Sequence, residues 1–342
     1  MKPKYWIIPI GLLVAVAAML LMLRPLKVEI SRTVMGTSCS LKAVSTWHNR
    51  QATMDALEQS FGMLQEVDRI MSDYKPDSDL SRLNAARAGE PVSINPKLSD
   101  VLRASMKYTS MSGGAFDPSG RPLFQLWKSA GKKGQLPTEQ EIADARSHVG
   151  WDKLTLQDGL ATKSDPGLQI DLGAIAKGYG VDLAVERLRQ AGMAGGLVEA
   201  GGDLRVFGQS PDGKAWRIGV QHPFRRGALC GTLVLKDLAV ATSGNYERFT
   251  EIGGKRYSHI LDPRTGRPVD FAPSVTVVAR DCMTADAWAT TLSVLGPSAM
   301  QAAEQAEGVE VMMVIGTPEQ HTIQYTQGFR PLLLDGQSIK LD

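Results

Sequence analysis

The chain has 342 residues, 43% of them hydrophobic and 22% charged, enough apolar material for one large core or two ordinary ones. A formal net charge of +2 supplies no broad electrostatic pull toward nucleic acid. The three cysteines, Cys39, Cys230 and Cys282, are odd in number and far apart, which argues against a disulfide framework or a zinc site.

Residues 5–23 are all apolar or small, close to the length that crosses a bilayer, with Lys2 and Lys4 before them and Arg24 and Lys27 after. No Ala-x-Ala cleavage site is obvious, and no cysteine follows where a lipoprotein would need one. The expectation is an uncleaved signal anchor over residues 1–27, a transmembrane helix with its amino terminus inside, and an exported body over residues 28–342.

Residues 28–43 alternate loosely and contain Met35-Gly36-Thr37. Met54, Leu57, Phe61, Leu64, Val67, Ile70 and Met71 recur at steps of three and four, which predicts a long helix. A polar loop follows, Ser72-Asp73-Tyr74-Lys75-Pro76, and Asp77 or Ser78 is the expected cap of a short helix reaching Asn84. Asn95-Pro96 starts another helix that Gly113-Gly114 ends. Ala115-Phe116-Asp117-Pro118 is a turn, and Thr138-x-x-Glu141 is a capping box. Between residues 151 and 170, short strands are separated by Asp158-Gly159 and Pro166-Gly167.

The stretch that organises the chain is Asp171-Leu172-Gly173-Ala174-Ile175-Ala176-Lys177-Gly178-Tyr179-Gly180. A strand-like approach (Leu168, Ile170) enters it, and a helical pattern leaves it and stops at Gly192. Three glycines at such a junction let backbone approach a ligand, and the following helix N-terminus favours negative charge. It fits neither a P-loop nor a dinucleotide fingerprint, and a tight turn packed under a helix is the alternative reading.

Beyond it, residues 197–207, 216–220 and 229–242 read as strands, and residues 248–260 as a hairpin turning at Gly253-Gly254. Residues 274–279 form another strand, residues 285–295 and 298–306 look helical, and residues 310–315 and 322–325 close the chain as strands. Without a regular βαβ rhythm, one compact α+β body with mixed or antiparallel sheets is expected.

Three further groups carry chemistry. Asp286 and Thr290 lie four apart on a predicted helix, so a carboxylate and a hydroxyl share one face, a pairing that suits Mg2+. The alternative is an acid answering the helix dipole and a Thr bonded to its own backbone. Ser258-His259-Ile260-Leu261-Asp262-Pro263-Arg264-Thr265-Gly266 places His259 at a strand end before a strong turn, where an imidazole can act as a base near neutral pH; a lone structural histidine is the alternative. His48, His148, His222 and His321 have no comparable company. Gly201-Gly202-Asp203 and Thr242-Ser243-Gly244 are weaker glycine-bearing turns.

Taken in order over residues 30–335, these motifs resemble the ApbE family, the FAD:protein FMN transferases, also called flavin transferases. The resemblance implies a T-fold-like catalytic domain and an exported enzyme that binds FAD and Mg2+. Such an enzyme moves the FMN half onto a Thr or Ser hydroxyl of a partner protein and releases AMP. Met35, Tyr74, Ala115, Phe116, Asp117, Asp171, Lys177 and Leu261 match family flavin-binding positions. The Ala174 carbonyl and the side chains of Asp286 and Thr290 match the metal site, and His259 the base. Some members carry a further acid three residues after the metal Asp; this chain has Ala289 there. Family logic places the acceptors among exported or membrane redox subunits, such as those of sodium-pumping NADH:quinone reductase and Rnf-type complexes. It places the enzyme at the bacterial inner membrane, facing the periplasm. The rival readings are an FAD pyrophosphatase, with water as the nucleophile, and a non-catalytic exported FAD-binding protein.

Overall fold

A computed structural model describes residues 7–244, 249–269, 272–336 and 339–341. The helices, in chain order, are α1 (Ile7–Met22), α2 (Arg50–Met71), α3 (Asp79–Ala85), α4 (Pro96–Met111), α5 (Arg121–Lys133), α6 (Glu139–Ser147), α7 (Ala176–Gln190), α8 (Cys282–Leu295) and α9 (Met300–Gln305).

Eight strands form one antiparallel sheet. Their spatial order is also their chain order: Leu26–Val34, Thr37–Ser45, Gly195–Ala200, Asp203–Gly208, Ala239–Gly244, Ser274–Ala279, Val309–Gly316 and His321–Tyr325. The sheet is therefore a meander whose turns have been opened by insertions. The longest of these, residues 46–194, carries α2 to α7 and holds most of the expected binding positions. A parallel pairing appears only as an isolated bridge between Gly120 and Gln169 among the described residues.

Side-chain periodicity decides which face each element buries. Leu57, Phe61 and Leu64 of α2 and Val181, Val185 and Leu188 of α7 pack with Leu41, Val198 and Ala200 of the sheet, all at most 1% exposed. Each such side chain contributes about 1.5–3 kcal/mol by leaving water. Further along, Ala285, Ala289 and Leu292 of α8 cover Val275, Val277, Val311 and Met313. Trp216, Ile218 and Leu233, from the hairpin Trp216–Gln221 and Leu229–Leu235, pack with Leu204 and Val206 and with Phe329. Cys39, Cys230 and Cys282 are all buried as free thiols, and burial pushes each thiol pKa up, as small core residues require.

Local signals hold where they rest on caps. Ser78 caps α3 through the Ser81 amide, Asn95 caps α4, and the Thr138–Glu141 capping box forms. Residues 121–133 form a helix, with Pro122 in its first turn. Two expectations fail. The approach to Asp171 is not a strand: both backbone groups of Ile170 bond to the Asn84 side chain, at 2.8 and 2.9 Å, instead of a sheet neighbour. The expected transmembrane helix is also not found. Helix α1 has 16 residues, about 24 Å at 1.5 Å per residue, short of a hydrocarbon core of about 30 Å. No helix among the described residues is long and apolar enough to cross a membrane; Tyr5, where the expected span begins, lies outside them.

Candidate active site

The 171–180 stretch folds as a turn that feeds α7, and side chains, not a sheet, hold its entrance. The Lys163 ammonium is 1% exposed and donates to the carbonyls of Asn84, Pro166 and Leu168 at 2.7, 3.2 and 3.1 Å; burial lowers its pKa. The Asp171 amide donates to the Pro118 carbonyl at 2.8 Å, tying this turn to the Ala115–Asp117 turn. The Asp171 carboxylate accepts from the Gly173 amide at 2.8 Å. Burial, reinforced by the Asp73 carboxylate, raises its pKa.

At the start of α7, Lys177 bridges two acids. Its ammonium donates to Asp203 and, at 3.2 Å, to Asp286 on α8. Burial works to lower the Lys177 pKa, but the two carboxylates more than offset it and hold the group charged. Asp203 is 3% exposed; burial and the Asp286 charge push its pKa up to about 7. Two carboxyl groups thus share one ammonium.

Asp286 is 4% exposed, and both bonds it accepts, from Lys177 and from the Gly178 amide at 3.3 Å, end on Oδ2. The glycine at 178 is obligatory for this approach, because a Cβ there would sit 2.4 Å from the Cys282 carbonyl oxygen. One helical turn after Asp286, the Thr290 hydroxyl lies 3.4 Å from Ser243 Oγ. Ala174, three residues before Lys177, packs in the same apolar cluster as Ala287. The start of α7 and the Asp286 turn of α8 therefore lie side by side. Ala289 is fully buried against the sheet, so an acid at that position would point into the core.

The other expected positions lie on several separate elements. Met35 sits at φ 54° in the two-residue turn of the first hairpin, an uncommon conformation for a non-glycine residue. A Cβ on Gly180 of α7 would lie 3.6 Å from its sulfur. Tyr74 is 78% exposed, with Lys128 Nζ 5.4 Å from its ring centroid, and the neighbouring Asp73 accepts from Arg121 at 3.1 Å. Ala115 and Phe116 are 1% exposed and Leu261 is 4% exposed, so their side chains belong to the core and any ligand contact there is through backbone. Asp117 accepts from the Ser119 amide and hydroxyl at 2.9 and 2.6 Å, and burial raises its pKa. A cavity of about 220 Å3, lined by Gly114, Asp117, Arg146, Val149, Gly150, Pro263 and Arg264, adjoins this turn.

His259 is exposed on a bend after the strand Lys255–Ser258. Its neighbour Ile260 packs with Ala115 and Val294, and Val294 lies one turn after Thr290 on α8. That contact is the traceable link between the imidazole and the Asp286–Thr290 helix.

Asp203 is the residue sequence reasoning undervalued. Gly201-Gly202-Asp203, expected as a weak glycine-bearing turn where backbone meets a ligand, is a hairpin turn with both glycines at positive φ. Only the sheet register shows that the turn delivers a buried carboxylate to Lys177. Thr242-Ser243-Gly244, expected as a turn, lies instead within the strand Ala239–Gly244, whose pairing brings Ser243 to Thr290.

Comparison with known proteins gives a consistent result. The ApbE family model matches residues 35–313. The chain is 34% identical over 334 residues to a FAD:protein FMN transferase of Vibrio cholerae, covering 94% of this chain and 98% of that one. It is 32% identical over 255 residues to an Escherichia coli K12 protein of the same name, covering 72% and 73%. Among solved structures, the flavin transferase ApbE from Vibrio cholerae superposes with a TM-score of 0.79 at 32% identity, over 90% of this chain and all of that one. The apbe protein of Thermotoga maritima superposes with a TM-score of 0.81 at 30% identity, over 91% and 100%.

Proposed function

Because this chain belongs to the ApbE family, we propose that it transfers the FMN half of FAD to a Thr or Ser hydroxyl of a partner protein, releasing AMP. The observation that carries this reading is the Lys177 bridge between Asp203 and Asp286, which holds the start of α7 against the Asp286–Thr290 helix. Phosphoryl transfer demands little covalent chemistry of the protein. It demands neutralised phosphate oxygens, an in-line hydroxyl and an acceptor for its proton.

The residues present fit Mg2+. An Asp286 carboxylate whose accepted bonds end on one oxygen, the Thr290 hydroxyl and the Ala174 carbonyl are all hard oxygen donors. Held by these donors, Mg2+ would supply charge neutralisation at the diphosphate oxygens. Lys177 places a second, permanent positive charge beside it. Tyr74, with Lys128 over its ring, offers an exposed face on which a flat ring stacks. Backbone groups of the Ala115–Asp117 turn and of Leu261, with Met35 and Asp171, complete the flavin contacts. The acceptor hydroxyl oxygen attacks the FMN phosphorus, AMP leaves with the bridging oxygen, and His259 takes the hydroxyl proton. The nucleophile comes from the partner, so this chain needs none of its own.

The proposal extends to place. Large apolar side chains on α1, among them Leu12, Leu13, Val14 and Met19, are exposed and without cover from the body. They serve as a tether that keeps the catalytic body at the periplasmic face of the bacterial inner membrane. Exported or membrane redox subunits, of the sodium-pumping NADH:quinone reductase or Rnf type, are its acceptors.

Products decide between transfer and its rivals. With FAD, Mg2+ and an acceptor domain, AMP should form in step with protein-bound flavin. Stoichiometric free FMN would identify a pyrophosphatase, and FAD binding without AMP a flavin carrier.

A further inference from the structure

Two aspartates from different elements fill the N-terminus of α8. Asp281, its own N-cap, accepts from the Thr284 amide at 2.8 Å. Asp182 reaches over from α7 and accepts from the amides of Cys282 and Met283, both at 2.9 Å. First-turn amides have no partner within their own helix, and a carboxylate there also answers the helix dipole. Arg205, from the strand Asp203–Gly208, holds Asp182 from the side at 3.0 Å. Beneath these bonds the two helices touch backbone to backbone, at Gly178 and Cys282. On the next turn of α8, Asp286 meets the Gly178 amide and Lys177.

We propose that Asp182 is a positioning residue for the cation site: it fixes the register of α8 on α7. In doing so it sets where Asp286 and Thr290 stand relative to Ala174 and Lys177. A carboxylate suits the task because each of the two amides and the Arg205 guanidinium needs an acceptor. Asparagine offers one acceptor oxygen and no charge. Asp281 provides the contrast, since it caps the same helix without tying it to α7. The inference rests on the cation site of the proposed function.

The test uses the full chain and Mn2+ as the probe for Mg2+, with binding read from the electron paramagnetic resonance signal of free Mn2+, without FAD or acceptor. Asp182→Asn should weaken Mn2+ binding about 10-fold or more, as loss of a group that orients metal ligands does. In transfer assays the same variant should need more metal for half-maximal rate while kcat at saturating metal stays near wild type. Asp281→Ala should lower the thermal midpoint and leave the Mn2+ midpoint where it was. An Asp182→Asn protein that is less stable but binds Mn2+ like wild type overturns the inference. Should that variant not fold, Arg205→Gln is read the same way: weaker Mn2+ binding supports it, unchanged binding overturns it. Wild-type protein that binds no Mn2+ would instead remove the cation site itself, a separate failure that takes this inference with it.

Discussion

The proposed function divides the chemistry between an exposed imidazole, His259, and a buried charge cluster, Asp203–Lys177–Asp286. Removing the imidazole should cost catalysis alone. His259→Ala is expected to bind FAD as wild type does, by fluorescence titration, while transfer falls about 10²–10⁴-fold. Parallel loss of binding would make His259 a structural residue. The cluster should show itself in stability. The Asp203 pKa, about 7 in the fold, lies above its ordinary value of 3.8, so folding takes up a proton between those values. The stability contributed by that proton is complete below pH 4 and lost as pH rises through 7. In metal-free denaturation from pH 4 to 8, Asp203→Asn should flatten that part of the profile; an unaltered slope would contradict it. Lys177 and Asp286 stand out in the sequence because glycine spacing and a helical step of four are local signals. Asp203 acquires its role only through sheet register, which no local pattern reports.

The crossing of α7 and α8 is the element on which the site depends. Gly178→Ala should force the helices apart, since the added Cβ would lie 2.4 Å from the Cys282 carbonyl. Overpacking of this kind costs about 1–3 kcal/mol. The expected result is a lower denaturation midpoint together with weaker metal dependence; a change in stability without any change in transfer would separate the crossing from the site. The same contrast governs what could be read from sequence at this scale. Helices with a long apolar stripe, such as α2, or with a side-chain cap, such as α4 and α6, were legible because their signals lie within one or two turns. The approach to Asp171 was not, because Asn84, 86 residues earlier, takes the backbone bonds a strand partner would have taken. Residues 285–295 were legible as a helix, but its first turn, at Cys282 and Met283, depends on Asp182, 100 residues before it.

At the scale of the molecule, an antiparallel meander supplies the frame and one long insertion carries most of the positions proposed to meet the ligand. The α+β class was readable from the irregular alternation of elements. The match of spatial to chain order in the sheet was not, because pairing partners are set by insertions of very different length. The N-terminal segment is separable in this architecture, since the sheet begins at Leu26. A chain starting at Leu26 should lose membrane association in fractionation and keep transfer activity; retained membrane association would place the tether elsewhere. The central claim, that one assembled site moves FMN onto a partner's hydroxyl, is tested most directly by the intact mass of an acceptor protein after incubation with this chain, FAD and Mg2+. The account predicts a mass increase of one FMN less water, abolished by chelator, by Asp286→Ala, and by replacing the acceptor Thr with Ala. An acceptor of unchanged mass while FAD is consumed would contradict it.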